Sequence, residues 1–220
     1  VCRQLELGGR VRGEVLAVDS MTVYAEMDVG TAKPTPVERA EVVYHGLDLV
    51  APTEEFTVAR FVEYADGVIA DCARRGVPLI CVGGTPLYFV SLFKGLFQGP
   101  AGDEALRDRL RAMGGEAMHA RLREVDPPAA ARIHANDTKR LVRALEVFEL
   151  TGVPISAQQT EWASGHERHP AVWVAPHWDR EQLNRRINAR ARLMLEHGWL
   201  DECRRLPRPL TCLLPRPRPP

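Results

Sequence analysis

Two short apolar runs with a helical pattern between them constrain the fold of this chain more than any other feature. Residues 13–20 (GEVLAVDS) and 77–84 (VPLICVGG) are apolar stretches bounded by turn residues, which is typical of buried strands. Between them, residues 57–75 carry apolar side chains at helical spacing, with Thr57 in the N-cap position and Gly76 at the end. This order of strand, helix and strand predicts an α/β fold with a parallel sheet.

Polar residues and glycines follow both predicted strands at the point where each strand ends. Asp19 and Ser20 follow the first strand, and Gly83, Gly84 and Thr85 follow the second. Ligands of open parallel sheets bind beyond the carboxyl ends of the strands, so we expect a site at this edge. A carboxylate there can act as a general base or associate with magnesium, but it can also cap the next turn. The glycines let a ligand approach the backbone, although a tight strand-to-helix turn needs them equally.

A region of helical patterns follows the predicted core. It spans residues 101–165, with a break at Gly114 and a later helix that starts at Asn136 or Asp137 and ends at Gly152. These patterns predict a separate group of helices.

The chain then returns to the predicted sheet. Residues 171–176 (AVWVAP) predict a strand, and a helix is predicted from Asp179 to Gly198. The predicted parts are an α/β catalytic core of residues 1–100 and 166–206, a helical insertion of residues 101–165, and a proline-rich, disordered tail of residues 207–220.

Basic residues cluster on two of the predicted helices. Lys139 and Arg143 lie four residues apart and share a helix face, with Arg140 next to Lys139. Arg186 and Arg190 have the same spacing on a later helix. A basic helix face suits a phosphate backbone, and planar guanidinium groups suit diphosphate oxygens. A solvated charged surface is the alternative interpretation of both patterns.

Composition limits the partners and the sites that the chain can have. Lysine plus arginine equals aspartate plus glutamate, at 29 each, so a polyanion must be held by a local basic patch. The five cysteines form no C-x-x-C pair and no zinc-binding spacing with histidine, so no metal ligands are predicted. No apolar run reaches the length of about 18 residues that a membrane span requires.

Four segments resemble, in order along the chain, the tRNA dimethylallyltransferase family (tRNA isopentenyltransferases): VDSMTVYAEMDVGTAKP, VGGTPLY, ARIHANDTKRLVRALEVFELTG and RINARARLML. The resemblance spans residues 3–204 and implies a P-loop-NTPase-like parallel sheet with a helical insertion that grips a tRNA anticodon stem-loop. It implies transfer of a dimethylallyl group from dimethylallyl diphosphate to the exocyclic amine of the adenosine 3′-adjacent to the anticodon. It also implies magnesium to balance the diphosphate charge, a monomeric protein and a cytoplasmic location.

The resemblance assigns roles to individual residues. Asp19 would be the general base and, with Ser20, Met21 and Thr22, would meet a base flipped out of the RNA loop. Thr85 would be the second catalytic residue and would hold the diphosphate or the tRNA near the reaction centre. The positions that match tRNA contacts are Arg107, Lys139, Arg140, Leu141, Val142 and Arg143. The candidates for further diphosphate contacts are Arg186 and Arg190.

The sequence also departs from the family pattern. The Gly-Lys-Ser or Gly-Lys-Thr loop that would cradle the diphosphate does not occur in these 220 residues and is expected to precede residue 1. Thr22 stands where glutamine is usual, Pro86 where glycine is frequent, and Lys139 where glutamine is common. We therefore expect a fragment that lacks part of its anion site and is nearly inactive as given.

Two other functions are compatible with the same residues. One is a nucleotide isopentenyltransferase or small-molecule kinase on the same scaffold, and the other is a tRNA-binding module without catalysis. The basic face of the helical insertion favours tRNA over a free nucleotide. The missing loop favours a non-catalytic module, but the neutral net charge argues against strong nonspecific binding to RNA.

Overall fold

The computed structural model describes residues 13–97, 99–158 and 167–207. The chain divides into two compact units, one formed by the residues up to Leu92 together with those from His169, and the other by Phe93–Arg168. We call them unit 1 and unit 2. The assignment of catalysis and tRNA binding to separate domains stays a prediction.

Unit 1 contains a three-stranded parallel sheet. The strands are β1 (Glu14–Ala17), β2 (Tyr44–His45) and β3 (Leu79–Val82), in the order β2-β1-β3. In the register of the sheet, Val15 of β1 pairs with Tyr44 on one side and with Ile80 on the other. Val15 and Leu16 are buried, as a central strand requires. The predicted α/β fold with a parallel sheet is therefore confirmed, although the strands are shorter than predicted.

The long helix of unit 1 has the limits that its sequence predicts. Helix α1 is Pro36–Glu41, α2 is Val58–Arg75 and α3 is Pro86–Lys94. The Thr57 side chain accepts a hydrogen bond from the Arg60 amide, and Gly76 ends α2 with a φ of 65°. The buried apolar face of α2 consists of Phe61, Val62, Ala65, Val68 and Cys72.

An ion-pair cluster ties the first strand of unit 1 to its neighbours. Glu14 of β1 accepts hydrogen bonds from both terminal nitrogens of Arg75, at 2.7 and 2.8 Å. The ring of His45 lies 2.7 Å from the same carboxylate, and the Cys72 sulfur lies 3.5 Å from it. Hydrogen bonds from Arg75 and then from His45 lower the pKa of Glu14 to about 2. The carboxylate therefore fastens β2 and α2 to β1.

Unit 2 is helical. Its helices are α4 (Glu104–Ala112), α5 (Gly115–Val125), α6 (Pro127–Ala130), α7 (Thr138–Thr151) and α8 (Ile155–Gln158). Helix α7 begins where Asp137 accepts a hydrogen bond from the Arg140 amide, and it ends at Gly152 with a φ of 70°. The core includes Leu106, Met118, Leu122, Leu141 and Leu145. The predicted break at Gly114 separates α4 from α5, because this residue has a φ of 79°.

The final part of unit 1 differs from its predicted form. Residues 171–176 form no strand, and Val172 and Val174 are 94 and 84% exposed. The predicted strand is therefore wrong, and the run pairs with neither outer strand of the described sheet. Helix α9 (Arg180–Glu196) and helix α10 (Trp199–Arg205) follow.

Helix α9 has apolar side chains but no buried face. Leu183 and Ile187 are exposed, and no residue of this helix is buried. The helix is supported at its start, where the Asp179 carboxylate accepts hydrogen bonds from the amides of Glu181 and Gln182. None of the helices in the described ranges is both long and apolar enough to cross a membrane.

Candidate functional site

The carboxyl ends of β1 and β3 are joined by hydrogen bonds just beyond the sheet. The Val18 amide donates to the Val82 carbonyl at 2.8 Å, and the Ser20 amide donates to the Thr85 hydroxyl at 2.9 Å. The Thr85 hydroxyl also lies 3.3 Å from the Ser20 hydroxyl. The structure thus brings Ser20 and Thr85, which are 65 residues apart in sequence, to one edge.

The two glycines before Thr85 differ in what they permit. A Cβ on Gly83 would overlap the carbonyl oxygen of Val18, so the two backbones meet here without space for a side chain. A Cβ on Gly84 would lie 3.6 Å from Asp19 Oδ2, at ordinary contact distance. Both glycines are exposed, but only Gly84 has space for a ligand next to its backbone, and it faces the carboxylate.

The Asp19 carboxylate has one oxygen fixed by the chain. Its Oδ1 accepts hydrogen bonds from the amides of Met21 at 2.8 Å and Thr22 at 3.4 Å. The capping role that sequence position alone suggests is thus present. Among the hydrogen bonds of the described residues, none reaches Oδ2. Capping through one oxygen therefore leaves the other free to accept a proton.

Two buried side chains with hydroxyl groups belong to the surroundings of this carboxylate. Tyr88 stacks on Phe61 with 4.2 Å between ring centroids, and burial, followed by the nearby Tyr24 and Asp19, raises its pKa to about 12. Thr22 is 9% exposed, and its hydroxyl has no hydrogen-bond partner in the described part of the chain. An unpaired buried hydroxyl is costly, so Thr22 keeps an unused hydrogen-bonding group close to Asp19.

A buried lysine organises the segment that follows Asp19. The side chain of Lys33 is 1% exposed, and its ammonium donates to the Tyr24 carbonyl at 2.6 Å. It also forms ion pairs with Asp28 at 2.8 Å and Asp48 at 2.5 Å. Burial acts to raise the pKa of Asp48, but hydrogen bonds from Lys33 and Arg39 outweigh it, so that this pKa is lowered.

Sequence reasoning assigned no role to Lys33. The available signal was a single lysine within an otherwise neutral run, VGTAKP, where an internal position is not distinguishable from an exposed one. Its partner Asp48 is 15 residues away, so the pairing appears only in three dimensions.

Two of the predicted tRNA-binding arginines in unit 2 are engaged by a buried carboxylate. Glu146 is fully buried, and it pairs with Arg107 at 2.8 Å and with Arg143 at 2.7 Å. Its side chain also accepts a hydrogen bond from the Asp103 amide at 2.8 Å. Burial opposes ionisation, but hydrogen bonds from Arg143 and the Asp103 amide lower the pKa of Glu146. These arginines are about one third exposed, so only part of each guanidinium faces solvent.

The other predicted residues of α7 fall into two classes. Lys139 and Arg140 are exposed, and Arg140 pairs with Asp137 at 3.1 Å. Leu141 and Val142 are buried in the core of unit 2. The side chains that reach solvent are therefore the basic ones at the start of the helix.

The arginines of α9 lie on an exposed helix. The guanidinium of Arg186 stacks over the Trp178 ring at 4.3 Å, and Arg190 is exposed. Among the described residues, no hydrogen bond or ion pair joins either arginine to Asp19 or Thr85. The role of these two arginines in diphosphate binding therefore stays a prediction.

The chain is similar in sequence to a protein family and to individual proteins of that family. The family model "IPP transferase" matches residues 22–213. The chain is 46% identical over 206 residues to the tRNA dimethylallyltransferase of Geobacter metallireducens, covering 92% of this chain and 67% of that protein. It is 46% identical over 198 residues to tRNA dimethylallyltransferase 2 of Syntrophus aciditrophicus, covering 88 and 64%. The chain thus spans about two thirds of the length of these relatives.

Solved structures are similar as well. A full-length tRNA isopentenylpyrophosphate transferase from Bacillus halodurans is 37% identical with a TM-score of 0.57, covering 89% of this chain and 62% of that one. A eukaryotic dimethylallyltransferase, described as acting on tRNA, is 30% identical with a TM-score of 0.74, covering 86 and 48%.

Proposed function

Because this chain belongs to the IPP transferase family, we propose that it transfers a dimethylallyl group to the exocyclic amine of the adenosine 3′-adjacent to a tRNA anticodon. The donor is dimethylallyl diphosphate. The observation that carries the proposal is the sheet edge, where a carboxylate with one free oxygen lies beside an exposed glycine and a threonine hydroxyl. A monomeric state and a cytoplasmic location stay predictions.

Asp19 acts as the general base in this proposal. The adenine amine is a weak nucleophile, and its nitrogen attacks the allylic carbon while the bond from that carbon to the diphosphate oxygen breaks. The amine then carries an excess proton, which passes to Asp19 Oδ2. The amides of Met21 and Thr22 hold the other oxygen, so the base is oriented before the substrate arrives.

The residues after Asp19 meet the flipped base. Thr22 contributes a buried hydroxyl without a partner, which can bond to an edge of the purine. Ser20 is held by Thr85, so the start of this segment has a fixed position at the sheet edge. Thr22 is shorter than the glutamine that is usual at this position in the family, so it makes fewer contacts to the base. It retains one hydrogen-bonding group, its hydroxyl.

Thr85 contacts the diphosphate in this proposal. The Ser20 and Thr85 hydroxyls at the edge are oxygen ligands, which suit magnesium. When bound, magnesium would balance the negative charge of the departing diphosphate. Arg186 and Arg190 stay proposed as further diphosphate contacts from an exposed helix.

The tRNA face consists of Arg107, Lys139, Arg140 and Arg143 in unit 2. Lys139 and Arg140 extend into solvent, and the partly exposed Arg107 and Arg143 are held in fixed directions by Glu146. Leu141 and Val142 support this face from the core, since their side chains are buried.

The test is transfer of a labelled dimethylallyl group to an anticodon stem-loop RNA. It uses two versions of the protein. One is this chain, and the other is extended at its N-terminus by the residues that precede the matched region in the Geobacter metallireducens relative. Asp19→Asn is expected to lower kcat by about 10²- to 10⁴-fold, and Glu41→Gln, an exposed carboxylate of α1, leaves it unchanged. Full activity of Asp19→Asn would remove the general base from the mechanism. Preference for free AMP over the stem-loop would instead favour a nucleotide isopentenyltransferase.

A further inference from the structure

A carboxylate from the last described helix binds three successive backbone amides of the segment after Asp19. Glu202 Oε2 accepts hydrogen bonds from the amides of Asp28 at 2.7 Å and Val29 at 2.6 Å. Its Oε1 accepts one from the Gly30 amide at 2.9 Å. Glu202 is 5% exposed, so these bonds form largely out of solvent. We call this arrangement, Glu202 with residues 28–30, the amide clamp.

The geometry of the clamp is selective for a carboxylate. Consecutive amides that point to one place form an anion-binding concavity, and buried amides outside regular structure need an acceptor. A carboxylate offers acceptors on both oxygens, whereas an amide side chain would turn a donor toward one of the backbone donors. The negative charge of Glu202 therefore matters as well as its length.

A second contact seats α10 on the same loop. A Cβ on Gly30 would overlap the indole of Trp199, so the absence of a side chain lets the tryptophan approach the loop backbone. A cavity of about 330 Å³ beside the clamp is lined in part by Glu26 and Arg205. The loop is thus attached to α10 by specific contacts beside an open space.

Hydrogen bonds continue from the clamp toward the predicted base-binding residues. The Asp28 amide donates to Glu202, and the Asp28 carboxylate accepts a hydrogen bond from the Lys33 ammonium. Lys33 also donates to the Tyr24 carbonyl. Tyr24 lies two residues after Thr22. The Thr22 carbonyl in turn accepts a hydrogen bond from the Asp48 amide at 3.2 Å, and Asp48 also pairs with Lys33.

We propose that Glu202 is a positioning residue for the transfer reaction, which fixes residues 28–30 and, through Asp28 and Lys33, the segment from Asp19 to Thr22. This role rests on the proposed function above. Glu202 touches neither substrate nor reacting atoms, and it acts by keeping the base-binding segment in its productive position before RNA binds.

The experiment compares Glu202→Gln with Asp201→Asn, an exposed carboxylate at the adjacent position of α10. Amide hydrogen exchange of the free protein and transfer kinetics are measured for both variants and for the wild type, all in the N-terminally extended version. Glu202→Gln is expected to lose protection at residues 28–30 while α2 keeps its own. Its kcat is expected to fall by about 10- to 100-fold, with the KM for dimethylallyl diphosphate unchanged, since misplacement of reacting groups acts mainly on turnover. Asp201→Asn is expected to match the wild type in both measurements.

A second pair of variants tests the role without removing the carboxylate. Gly30→Ala places a methyl group against Trp199 and should displace α10, so exchange at residues 28–30 rises and kcat falls. Adding Trp199→Ala makes space for that methyl group and should restore part of both. This pair decides the question if Glu202→Gln does not fold.

The outcomes separate the two proposals. Normal kcat in a variant whose clamp amides exchange fast overturns the positioning role and leaves the proposed function intact. Unchanged exchange in Glu202→Gln overturns the clamp itself. Absence of transfer by both wild-type versions overturns the proposed function, and with it the role of Glu202 in that reaction.

Discussion

Each unit of this protein contains a buried charge surrounded by opposite charges, but the two differ in which residues serve as partners. In unit 1, Lys33 gathers Asp28 and Asp48, and the proposed catalytic carboxylate Asp19 stays outside that network. In unit 2, Glu146 gathers Arg107 and Arg143, which are themselves proposed RNA contacts. A buried charge can therefore stabilise the segment next to a site, as Lys33 does, or it can bind the site residues themselves, as Glu146 does.

The comparison depends first on Lys33 as the support of its segment. Lys33→Met keeps the length of the side chain but leaves the Tyr24 carbonyl and the half-buried Asp48 without their ammonium partner. We expect the free energy of unfolding to fall by about 3 kcal/mol, because breaking a buried pair leaves uncompensated polar groups. Urea unfolding measures this, with Lys94→Met at an exposed position of α3 as the control. Equal free energies of unfolding for the two variants would show that the buried ion pairs of Lys33 do not stabilise the protein.

Glu14 extends the comparison, because it is a carboxylate held by arginine in unit 1, as Glu146 is in unit 2. The pKa of Glu14 is lowered to about 2, so its contribution is fully present above the unfolded pKa of about 4.5 and is lost as pH falls toward 2. Glu14→Gln is expected to lower the free energy of unfolding by about 2 kcal/mol at pH 7, and the difference from the wild type should shrink between pH 4.5 and 2.

Unfolding of Glu14→Gln at a series of pH values checks this, and Glu63→Gln, an exposed glutamate of α2, controls for the loss of one negative charge. A difference that stays constant from pH 7 to pH 2 would show that the pairing with Arg75 does not carry the effect.

The smallest effect is expected at the tRNA face of unit 2. Lys139→Ala removes an exposed cation, so we expect about threefold weaker binding of an anticodon stem-loop and a salt dependence reduced by about one counterion. Affinity measured across salt concentrations tests this. Arg107→Ala is the matched comparison, and it should also lower stability because Glu146 stays buried with one partner fewer. Unchanged stability of Arg107→Ala would show that the buried Glu146 does not depend on this arginine.

Sequence reasoning predicted the parts of the fold that local chemistry determines. Thr57 and Gly76 set the limits of α2, Asp137 and Gly152 set those of α7, and β1 and β3 follow from their apolar runs. The proximity of Ser20 to Thr85 follows from the rule that parallel strands end at one edge. These features depend on a few neighbouring residues and on general topology.

What sequence reasoning missed depends on distant partners. Residues 171–176 have the composition of a strand but join neither edge of the described sheet, and Leu183 and Ile187 have helical spacing but stay exposed. Lys33 and Glu146 each have one charged partner nearby in sequence, Asp28 and Arg143, but the burial of both charges depends on packing. The partners of Glu202 lie more than 170 residues away. Burial of a charge cannot be read from its neighbours in sequence.

The amide clamp also has a consequence for biosynthesis. Asp28 and Glu202 are separated by 174 residues, so nearly all of the described chain must leave the ribosome before the loop meets its carboxylate. The sheet and α2 can form earlier from the residues already available. The proposed reaction centre would then acquire its final geometry as one of the last events of synthesis, and a nascent chain stalled before α10 would carry a folded sheet with an unfastened loop.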